Sequence, residues 1–515
     1  MLMRVVLALA VTQAGSVYGF AFIMCCELCN SIVAAGFQDR LLYPGSEGFE
    51  ARMASTFSLT ARVESCCIVQ PLTPDETSMA LTALINTEGC NIGVRSGGHG
   101  MWAGANYIAD GVTIDFGNMN STTYNAETNL ASIQPRTNWG SVYNELQKHG
   151  VTVPGGRAST VGVAGFLTGG GNSFFAGKAG FGCDNVVNFE VVLADGSIVN
   201  ANRSSNPDLW LALRGGHGNL GLVTRFDMAA IPSEKVWGGV RVYANSASQQ
   251  LADAFTSHAE EVADDPASAT VMFWSYQPML KMTIVIGAIV NTDGNENAPA
   301  LKGLMSAEPM LSATSRITTH SGLTDELEQP SGYHFMWIPL TYANTKEMNS
   351  YAVQLHDSLV EELKTELGED ADFMTYVALQ ALNPELNKRS VERGGNLLGL
   401  DRWDTPGVLF MAGLATRTPG HDAAGRVILL RYLDKVKAQA KKSGALRDWL
   451  YINYGDPSAN PIPFMGEKNL ATLKAATLKY DPTGVFQTRV LSGFKLPVED
   501  VKEEKNNSIP SKDEL

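Results

Sequence analysis

Charged side chains are scarce in this chain, and they form no basic cluster. Lys, Arg, Asp and Glu make up 18% of the 515 residues, and the formal net charge is −14. A protein that holds a nucleic acid backbone needs clustered Lys and Arg, so this charge balance excludes nucleic acid as a partner. The 44% of hydrophobic residues is typical of a globular protein with large buried cores.

Long hydrophobic runs are absent beyond the first residues of the chain. No other run reaches the roughly eighteen apolar residues of a bilayer span, so we expect no membrane span. A basic start, an apolar run and small residues at Val17, Gly19 and Ala21 predict a cleaved signal peptide at 1–21. Because 512–515 read Lys-Asp-Glu-Leu, we expect retention in the lumen of the endoplasmic reticulum by the receptor for that sequence.

The cysteines lack the spacing of a zinc site, and we predict no metal. Seven cysteines instead suit an oxidising compartment, where disulfides persist. We expect one of Cys25, Cys26 and Cys29 to pair with Cys66 or Cys67 and tie the N-terminal arm to the first domain, with one thiol left unpaired. Sequons that permit glycosylation lie at Asn120, Asn202 and Asn506.

Internal repeats are absent too, and 515 residues are too many for a single core. Alternating strand and helix patterns run to about residue 230, and longer amphipathic helices follow. We therefore predict an α+β cofactor domain at 22–230, and a substrate domain at 231–465 with an antiparallel sheet and helices on one face. A segment at 466–498 should return to the first domain, and the polar tail at 499–515 should be disordered.

Local patterns predict the main elements of both domains. In the first domain, strands are expected at 65–70, 91–94, 111–116, 187–193 and 221–226, and helices at 74–86 with Thr73 as N-cap, 138–149 and 208–213. In the second, helices are expected at 249–263, 348–367 and 423–443, and strands at 271–276, 282–290 and 451–454.

Two glycine-rich segments indicate a bound cofactor. The first is Arg95-Ser96-Gly97-Gly98-His99-Gly100, and the second is 155–171. Glycine permits positive φ and close backbone approach, so successive N–H groups can point into one concavity and hold pyrophosphate oxygens. A single such loop also occurs in many tight turns. The pair predicts a cofactor pocket into which His99 projects a nucleophilic imidazole.

The ordered motifs of the chain resemble those of a known family. They are RSGGHG at 95–100, GVTIDF at 111–116, PGGRASTVGVAGFLTGGG at 154–171, GCDNVVNFEVVLADG at 182–196, DLWLALRGGHGNLGLVT at 208–224, YINYGDP at 451–457 and KYDPTGVF at 479–486. They resemble the berberine-bridge-enzyme-like branch of the vanillyl-alcohol-oxidase superfamily, in particular its fungal secondary-metabolite oxidoreductases. The resemblance implies an FAD-linked enzyme with a PCMH-type flavin domain of two α+β subdomains.

The resemblance also implies how the flavin is held. His99 is expected to be bonded covalently to the flavin 8α-methyl group. Some members have a second link through a cysteine in the later loop, but this chain has Ala158 there, so we predict a single covalent link. The other predicted cofactor-binding residues are Arg95, Ser96, Gly97, Gly98, Gly100, Gly156, Ser159, Val161, Gly162, Gly165, Gly169, Gly221, Val223 and Asn453. In related plant enzymes a small residue at the position of Val161 accompanies fast reaction with oxygen, which favours an oxidase.

The segment at 451–454 supplies the candidate base. By resemblance to carbohydrate oxidases of this branch, Tyr454 is expected to be the catalytic base, and Tyr451 is a second catalytic candidate. In a regular strand their three-residue spacing puts the two rings on opposite faces, so both can face the flavin only if the strand bends. Asp401 and Arg402 are a weaker source of polar groups.

These residues together predict an oxidase. It would take a hydride from an alcohol, amine or activated carbon of a small secondary metabolite and pass the electrons to oxygen, giving peroxide, with cyclisation of the product as an option. Two alternatives stay open. One is a non-redox cyclase or binding scaffold with a structural flavin, and the other is a carbohydrate oxidase or dehydrogenase that uses another electron acceptor.

Overall fold

A computed structural model describes residues 27–497, which contain three main β-sheets. The signal peptide predicted at 1–21 and the tail predicted at 499–515 lie outside these residues, as do Cys25, Cys26 and Asn506. Within 27–497, every helix is too short or too polar to cross a lipid bilayer.

The first sheet has the strand order β1-β2-β4-β3. Its strands are β1 (Leu41–Leu42), β2 (Cys67–Val69), β3 (Asn91–Arg95) and β4 (Gly111–Asp115). The central strand β4 runs parallel to β2 and β3. The helix Pro74–Asn86 has the predicted bounds, because the Thr73 side chain accepts a hydrogen bond from the N–H of Glu76 and caps its first turn.

The second sheet is antiparallel, with the order β5-β6-β10-β8-β9. Its strands are β5 (Thr122–Asn125), β6 (Leu130–Ile133), β8 (Val186–Val192), β9 (Ile198–Asn202) and β10 (Leu222–Ala229). The helices Trp139–Gln147 and Pro207–Leu213 share its hydrophobic core. A short ladder joins β7 (Val151–Thr152) to β11 (Ile231–Pro232). The two sheets with their helices form the two expected α+β subdomains.

The third sheet is the largest, and all its pairings are antiparallel. Its order is β15-β12-β14-β13-β18-β19-β17-β20, and β16 pairs with β12. The strands are β12 (Val236–Ala244), β13 (Ser268–Gln277), β14 (Met282–Asn291), β15 (Met310–Ala313), β16 (Arg316–Thr318), β17 (His334–Ala343), β18 (Phe373–Leu382), β19 (Gly407–Thr416) and β20 (Leu446–Arg447).

The two faces of the third sheet have different roles. Successive side chains of a strand point to opposite faces. Met272 and Trp274 of β13 belong to the hydrophobic core, whereas Val271 and Phe273 line a cavity on the other face. Three long helices complete that core: Ser248–Glu261, Lys346–Leu367 and Pro419–Lys442. This arrangement confirms the expected antiparallel sheet with helices on one face, and it leaves the other face to the cavity.

Shorter helices connect these layers. They are Glu47–Ala54, Val163–Thr168, Ala176–Ala179, Lys302–Met305, His320–Asp325, Pro384–Glu392, Glu467–Tyr480 and Val485–Thr488. After the last of them, the chain packs on the first sheet, where the Leu491 N–H donates to the Ile92 carbonyl at 3.0 Å. The Arg489 guanidinium donates to carbonyls at the end of the helix Pro74–Asn86, including that of Leu84 at 3.1 Å.

The disulfide Cys29–Cys67 ties the N-terminal segment to β2. This bond confirms the expected pairing of the N-terminal cysteine cluster with the 66–67 pair. Among the described residues, Cys90 and Cys183 are free thiols, buried in separate hydrophobic cores. The prediction that one thiol of the chain stays unpaired depends also on Cys25 and Cys26, which lie outside these residues.

Candidate functional site

A cavity of about 370 Å³ lies between the glycine loops and the open face of the third sheet. It is lined by most of the predicted cofactor residues, namely Ser96, Gly97, Gly98, His99, Gly100, Gly156, Val161, Gly162, Gly165, Gly221, Val223 and Asn453, together with Tyr451 and Tyr454. Of the predicted residues, Arg95, Ser159 and Gly169 do not line it. The fold therefore brings together segments that are hundreds of residues apart in the sequence.

The two glycine loops touch each other through their backbones. A Cβ placed on Gly97 would lie 2.5 Å from the Gly162 Cα, and a Cβ on Gly162 would lie equally close to the Gly97 Cα. Any side chain at either position would push the loops apart. The loops also pack on the start of the helix Trp139–Gln147, where the Trp139 N–H donates to the Val161 carbonyl at 3.0 Å.

Arg95 supports the first loop from behind. Its guanidinium is buried and donates to the Ser55 hydroxyl at 2.8 Å and to the Asp115 carboxylate at 3.4 Å. A Cβ on Gly98, which has φ +74°, would lie 2.5 Å from this guanidinium. Arg95, which the sequence predicts to contact the cofactor, does not line the cavity. Its guanidinium fixes the loop, and backbone and His99 form the cavity side of the loop.

His99 is held in one orientation. Its ring stacks on Phe57, with ring centroids 4.0 Å apart and planes 14° apart, and Phe57 in turn stacks on Phe335 of β17. Burial in the cavity lowers the pKa of His99 to about 4, and the charge of Glu328 opposes that shift. The imidazole is therefore neutral at physiological pH, which is the form that acts as a nucleophile.

The segment predicted as a strand at 451–454 is instead a 3-10 turn, Ile452–Tyr454. The Tyr454 N–H donates to the Tyr451 carbonyl at 3.0 Å and closes the turn. Because residues three apart lie on one side of such a turn, the two rings meet edge to face, with centroids 5.0 Å apart. The strand prediction was wrong. A strand would have put the two tyrosine rings on opposite faces, whereas in the turn both tyrosines line the cavity.

Tyr454 contacts polar groups from two other elements. Arg157 of the second glycine loop donates to the Tyr454 hydroxyl at 2.8 Å and to the Gln380 Oε1 at 2.7 Å. Trp337 of β17 packs edge to face on the Tyr454 ring, with centroids 5.2 Å apart. No carboxylate lies within 4.0 Å of Arg157 in the part of the chain that the structure describes. The tyrosine hydroxyl thus faces a guanidinium whose charge is not neutralised by an acid.

Tyr451 is placed differently from Tyr454. Its hydroxyl oxygen accepts hydrogen bonds from the N–H groups of Gly171 at 3.1 Å and Asn172 at 2.8 Å, and from Asn453 Nδ2 at 3.1 Å. Gly171 has φ +88°, which lets the two neighbouring N–H groups converge on one oxygen. Burial raises the pKa of Tyr451. These contacts make Tyr451 the residue that fixes the turn, and they leave Tyr454 as the better candidate base.

Four further residues singled out in the sequence do not line the cavity. The Ser159 hydroxyl donates to Glu328 at 2.6 Å, and Gly169 packs against the Asn453 side chain. Arg402 donates to backbone carbonyls, including that of Asp448 at 2.7 Å, so it has a structural role. Asp401 does not line the cavity either. Within 27–497, no three His, Cys, Asp or Glu side chains form a group that could hold a metal ion.

The opposite end of the cavity is suited to an anion. Lys495 Nζ donates to the Gly218 carbonyl at 2.7 Å, its single hydrogen-bond acceptor among residues 27–497. Enclosure in the cavity lowers the pKa of Lys495 to about 7, and the charge of Asp481 opposes that shift. His217 lies beside it with φ +54°, and its buried Nδ1 has no partner within the described residues. An ammonium with free N–H groups and an unpaired imidazole nitrogen fit the phosphates and hydroxyls of a dinucleotide.

Comparison with known proteins agrees with that donor set. Residues 66–202 match the FAD binding domain family. The FAD-dependent monooxygenase sdcF of Emericella nidulans is 34% identical over 476 residues, which cover 91% of this chain and 98% of that protein. Berberine bridge enzyme in complex with (S)-reticuline has the same fold, with a TM-score of 0.71, 17% identity and coverage of 92% of this chain and 99% of that one. Glucooligosaccharide oxidase from Acremonium strictum, described with a 6-S-cysteinyl, 8α-N1-histidyl FAD, gives a TM-score of 0.71, 17% identity and coverage of 91% and 100%.

The fold and the site define a flavin-dependent oxidoreductase. The chain belongs to the family of FAD-dependent oxidoreductases that includes sdcF, and it has the fold of berberine bridge enzyme. The sequence motifs identified this family and most of the flavin loops. They did not identify Arg157, Gln380, Glu328, His217 or Lys495. Arg157 and His217 stand inside the glycine-rich motifs, where large polar side chains among small residues were a usable signal. Glu328 and Lys495 reach the cavity, and Gln380 reaches Arg157, only through tertiary folding.

Replacing Lys495 with Met is expected to weaken FAD binding about tenfold to a hundredfold, because a hydrogen bond to a charged group contributes about 1.5–3 kcal/mol. The measurement is reversible FAD binding, followed by calorimetry in a His99→Ala background. In the parent protein, affinity should fall as the pH rises above about 7, since the lysine, with its pKa near 7, must take up a proton when it meets an anion. In Lys495→Met that pH dependence should vanish. Lys468→Met is the control, because Lys468 is exposed.

Proposed function

We propose that the protein is an FAD-linked oxidase that removes a hydride from an alcohol, amine or activated carbon of a small apolar metabolite. The observation that carries the proposal is the Tyr454 hydroxyl, which lines the cavity beside Arg157 and shares that cavity with His99. FAD supplies the hydride acceptor in such a reaction. In its phenolate form Tyr454 accepts the substrate proton as the hydride leaves and becomes the neutral phenol. The Arg157 guanidinium stabilises the phenolate before that transfer.

The walls near Tyr454 favour an apolar and aromatic substrate. Met101, Phe273, Leu327 and Trp337 all line the cavity on the side of the third sheet. Such a surface binds planar or aliphatic groups by exclusion of water, whereas a sugar would need several hydrogen-bonding side chains. A small secondary metabolite therefore fits better than a carbohydrate, and cyclisation of the oxidised product within the same cavity stays an option.

Several features support a single covalent flavin and the use of oxygen. The neutral, ring-stacked His99 is the attachment residue, and Ala158 stands where a second link would need a cysteine. Val161 lines the cavity and is small enough to let oxygen reach the reduced flavin. The disulfide Cys29–Cys67 is compatible with the lumen of the endoplasmic reticulum, which we propose as the location, with retention through the receptor for 512–515.

A monooxygenase is the second candidate function, because sdcF is described as an FAD-dependent monooxygenase. The two candidates differ in the fate of the oxygen atoms. An oxidase releases one hydrogen peroxide for each substrate oxidised. A monooxygenase incorporates one oxygen atom into the product and reduces the other to water with two electrons from the substrate itself or from NADPH.

The test is to mix the purified protein with candidate phenols, alcohols and amines in air, with and without NADPH, and to follow flavin bleaching, peroxide and the uptake of ¹⁸O from ¹⁸O₂. Bleaching with stoichiometric peroxide and an unlabelled product supports the oxidase. A labelled product with little peroxide supports the monooxygenase. Bleaching with neither peroxide nor a labelled product would show that another electron acceptor is used. No bleaching with any substrate would contradict both candidate functions.

A further inference from the structure

A carboxylate from the substrate domain holds the second glycine loop next to His99. Glu328 lies between the helix His320–Asp325 and β17, and it lines the cavity. It accepts hydrogen bonds from the Ser159 hydroxyl at 2.6 Å, from the Thr160 N–H at 2.7 Å and from the Thr160 hydroxyl at 2.6 Å. The Thr160 Oγ1 lies 3.5 Å from His99 Nε2. A continuous path of polar atoms thus joins the imidazole to the carboxylate through one hydroxyl.

The acid in this path has no basic partner. Within residues 27–497, no Lys or Arg nitrogen lies within 4.0 Å of Glu328, whose polar contacts are the two hydroxyls and the N–H. A carboxylate paired with a cation would be a poor proton acceptor, and Glu328 has no such partner among these residues. Glu328 is also exposed, so a proton that reaches it can pass to solvent.

The imidazole itself is oriented for this path. Phe57 stacks on the His99 ring and Phe335 stacks behind Phe57, so the ring plane is fixed. One edge of the ring, with Nε2, faces Thr160. With its proton on Nε2, the histidine keeps the lone pair of Nδ1 available for bond formation on the other edge.

We propose that Thr160 and Glu328 form the proton relay through which this protein attaches its own flavin to His99. The inference rests on the proposed covalent attachment. As Nδ1 forms its bond to the 8α carbon of FAD, the Nε2 proton passes to the Thr160 hydroxyl, and the hydroxyl proton passes to Glu328 and then to solvent. The imidazole therefore stays neutral while it becomes substituted.

The reaction balances with dioxygen as the only further reagent. One C–H bond of the 8α-methyl group breaks, the Nδ1–C bond forms, and the electron pair of the broken C–H bond reduces the isoalloxazine ring. The reduced ring takes up two protons from solvent. Two protons are released to solvent in the same reaction, one from the methyl group and one from Nε2, so the protons balance. Dioxygen then re-oxidises the reduced ring and leaves as hydrogen peroxide.

A purely structural reading of the same contacts assigns Glu328 only the role of a clamp between the loop and the substrate domain. The two readings differ in what they predict for flavin that is bound but not yet attached. A clamp affects the affinity for FAD, whereas a relay affects the rate of bond formation after FAD has bound.

The experiment uses the full chain produced under riboflavin depletion, to which FAD is added. Covalent incorporation is followed by the fluorescence and mass of the denatured protein, and reversible binding by quenching of FAD fluorescence. Glu328→Gln and Thr160→Val are expected to slow covalent incorporation about a hundredfold while the FAD affinity changes less than threefold. Glu328→Asp should recover part of the rate. Glu326→Gln is the matched control, since Glu326 contacts Thr314 and Arg316 outside the cavity.

Incorporation at the parent rate in both Glu328→Gln and Thr160→Val would overturn the relay. A loss of affinity as large as the loss of rate in both variants would also overturn it, in favour of the clamp. If the parent protein holds FAD only reversibly, the proposed covalent attachment fails, and the relay fails with it. If the parent protein attaches FAD covalently and both variants do so at the same rate, the relay alone is contradicted.

Discussion

His99→Ala is expected to abolish covalent flavin, so that denatured protein falls from one flavin per chain to none. The structure gives the physical reason: His99 carries the single imidazole of the first glycine loop, and it is neutral because burial lowers its pKa to about 4. The second loop offers no substitute, since Ala158 cannot form a bond to the flavin. Intact mass and in-gel flavin fluorescence after denaturation measure the outcome.

The variant should still bind FAD reversibly, because the contacts from Lys495, His217 and the two loops are unchanged. Loss of the covalent bond should also lower the flavin reduction potential and slow the reductive half-reaction. His149→Ala, which removes an exposed histidine outside the cavity, is the control and should keep its covalent flavin. Flavin that stays attached to His99→Ala after denaturation would show that another residue forms the link.

The sequence predicted the elements that depend on local signals. The helix Pro74–Asn86 was predicted with its bounds, because the Thr73 cap and Pro74 are local features. The glycine loops and the family were also predicted, because the motifs are contiguous in the sequence. These local features predict the flavin-binding segments without a three-dimensional structure.

The prediction failed where tertiary contacts decide the structure. The alternation of Tyr451, Ile452, Asn453 and Tyr454 fits a strand and a 3-10 turn equally well, and the converging N–H groups of Gly171 and Asn172 select the turn. The contact between Arg157 and Tyr454 spans 297 residues, and that between Thr160 and Glu328 spans 168. No local pattern encodes such separations in sequence, so the contacts of Tyr454 with Arg157 and of Thr160 with Glu328 emerged only from the fold.

Tyr454→Phe is expected to lower the rate constant of flavin reduction by about 10²–10⁴-fold, the usual contribution of a positioned general base. The change keeps the ring, and with it the edge-to-face contacts to Trp337 and Tyr451, so folding and FAD content should match the parent. It removes the oxygen that Arg157 and Gln380 contact. Anaerobic stopped-flow mixing with substrate measures the rate of flavin bleaching directly.

The matched control is Tyr376→Phe. Tyr376 lies on β18, and its hydroxyl contacts the Met374 sulfur at 3.4 Å and does not line the cavity. Its loss should change the rate of flavin reduction less than threefold. The reoxidation of reduced flavin by oxygen should be unaffected in both variants, because proton removal from substrate belongs to the first half-reaction alone. Parent-like bleaching in Tyr454→Phe would therefore mean that the base is another group, and it would remove the role assigned to the Arg157 guanidinium at the same time.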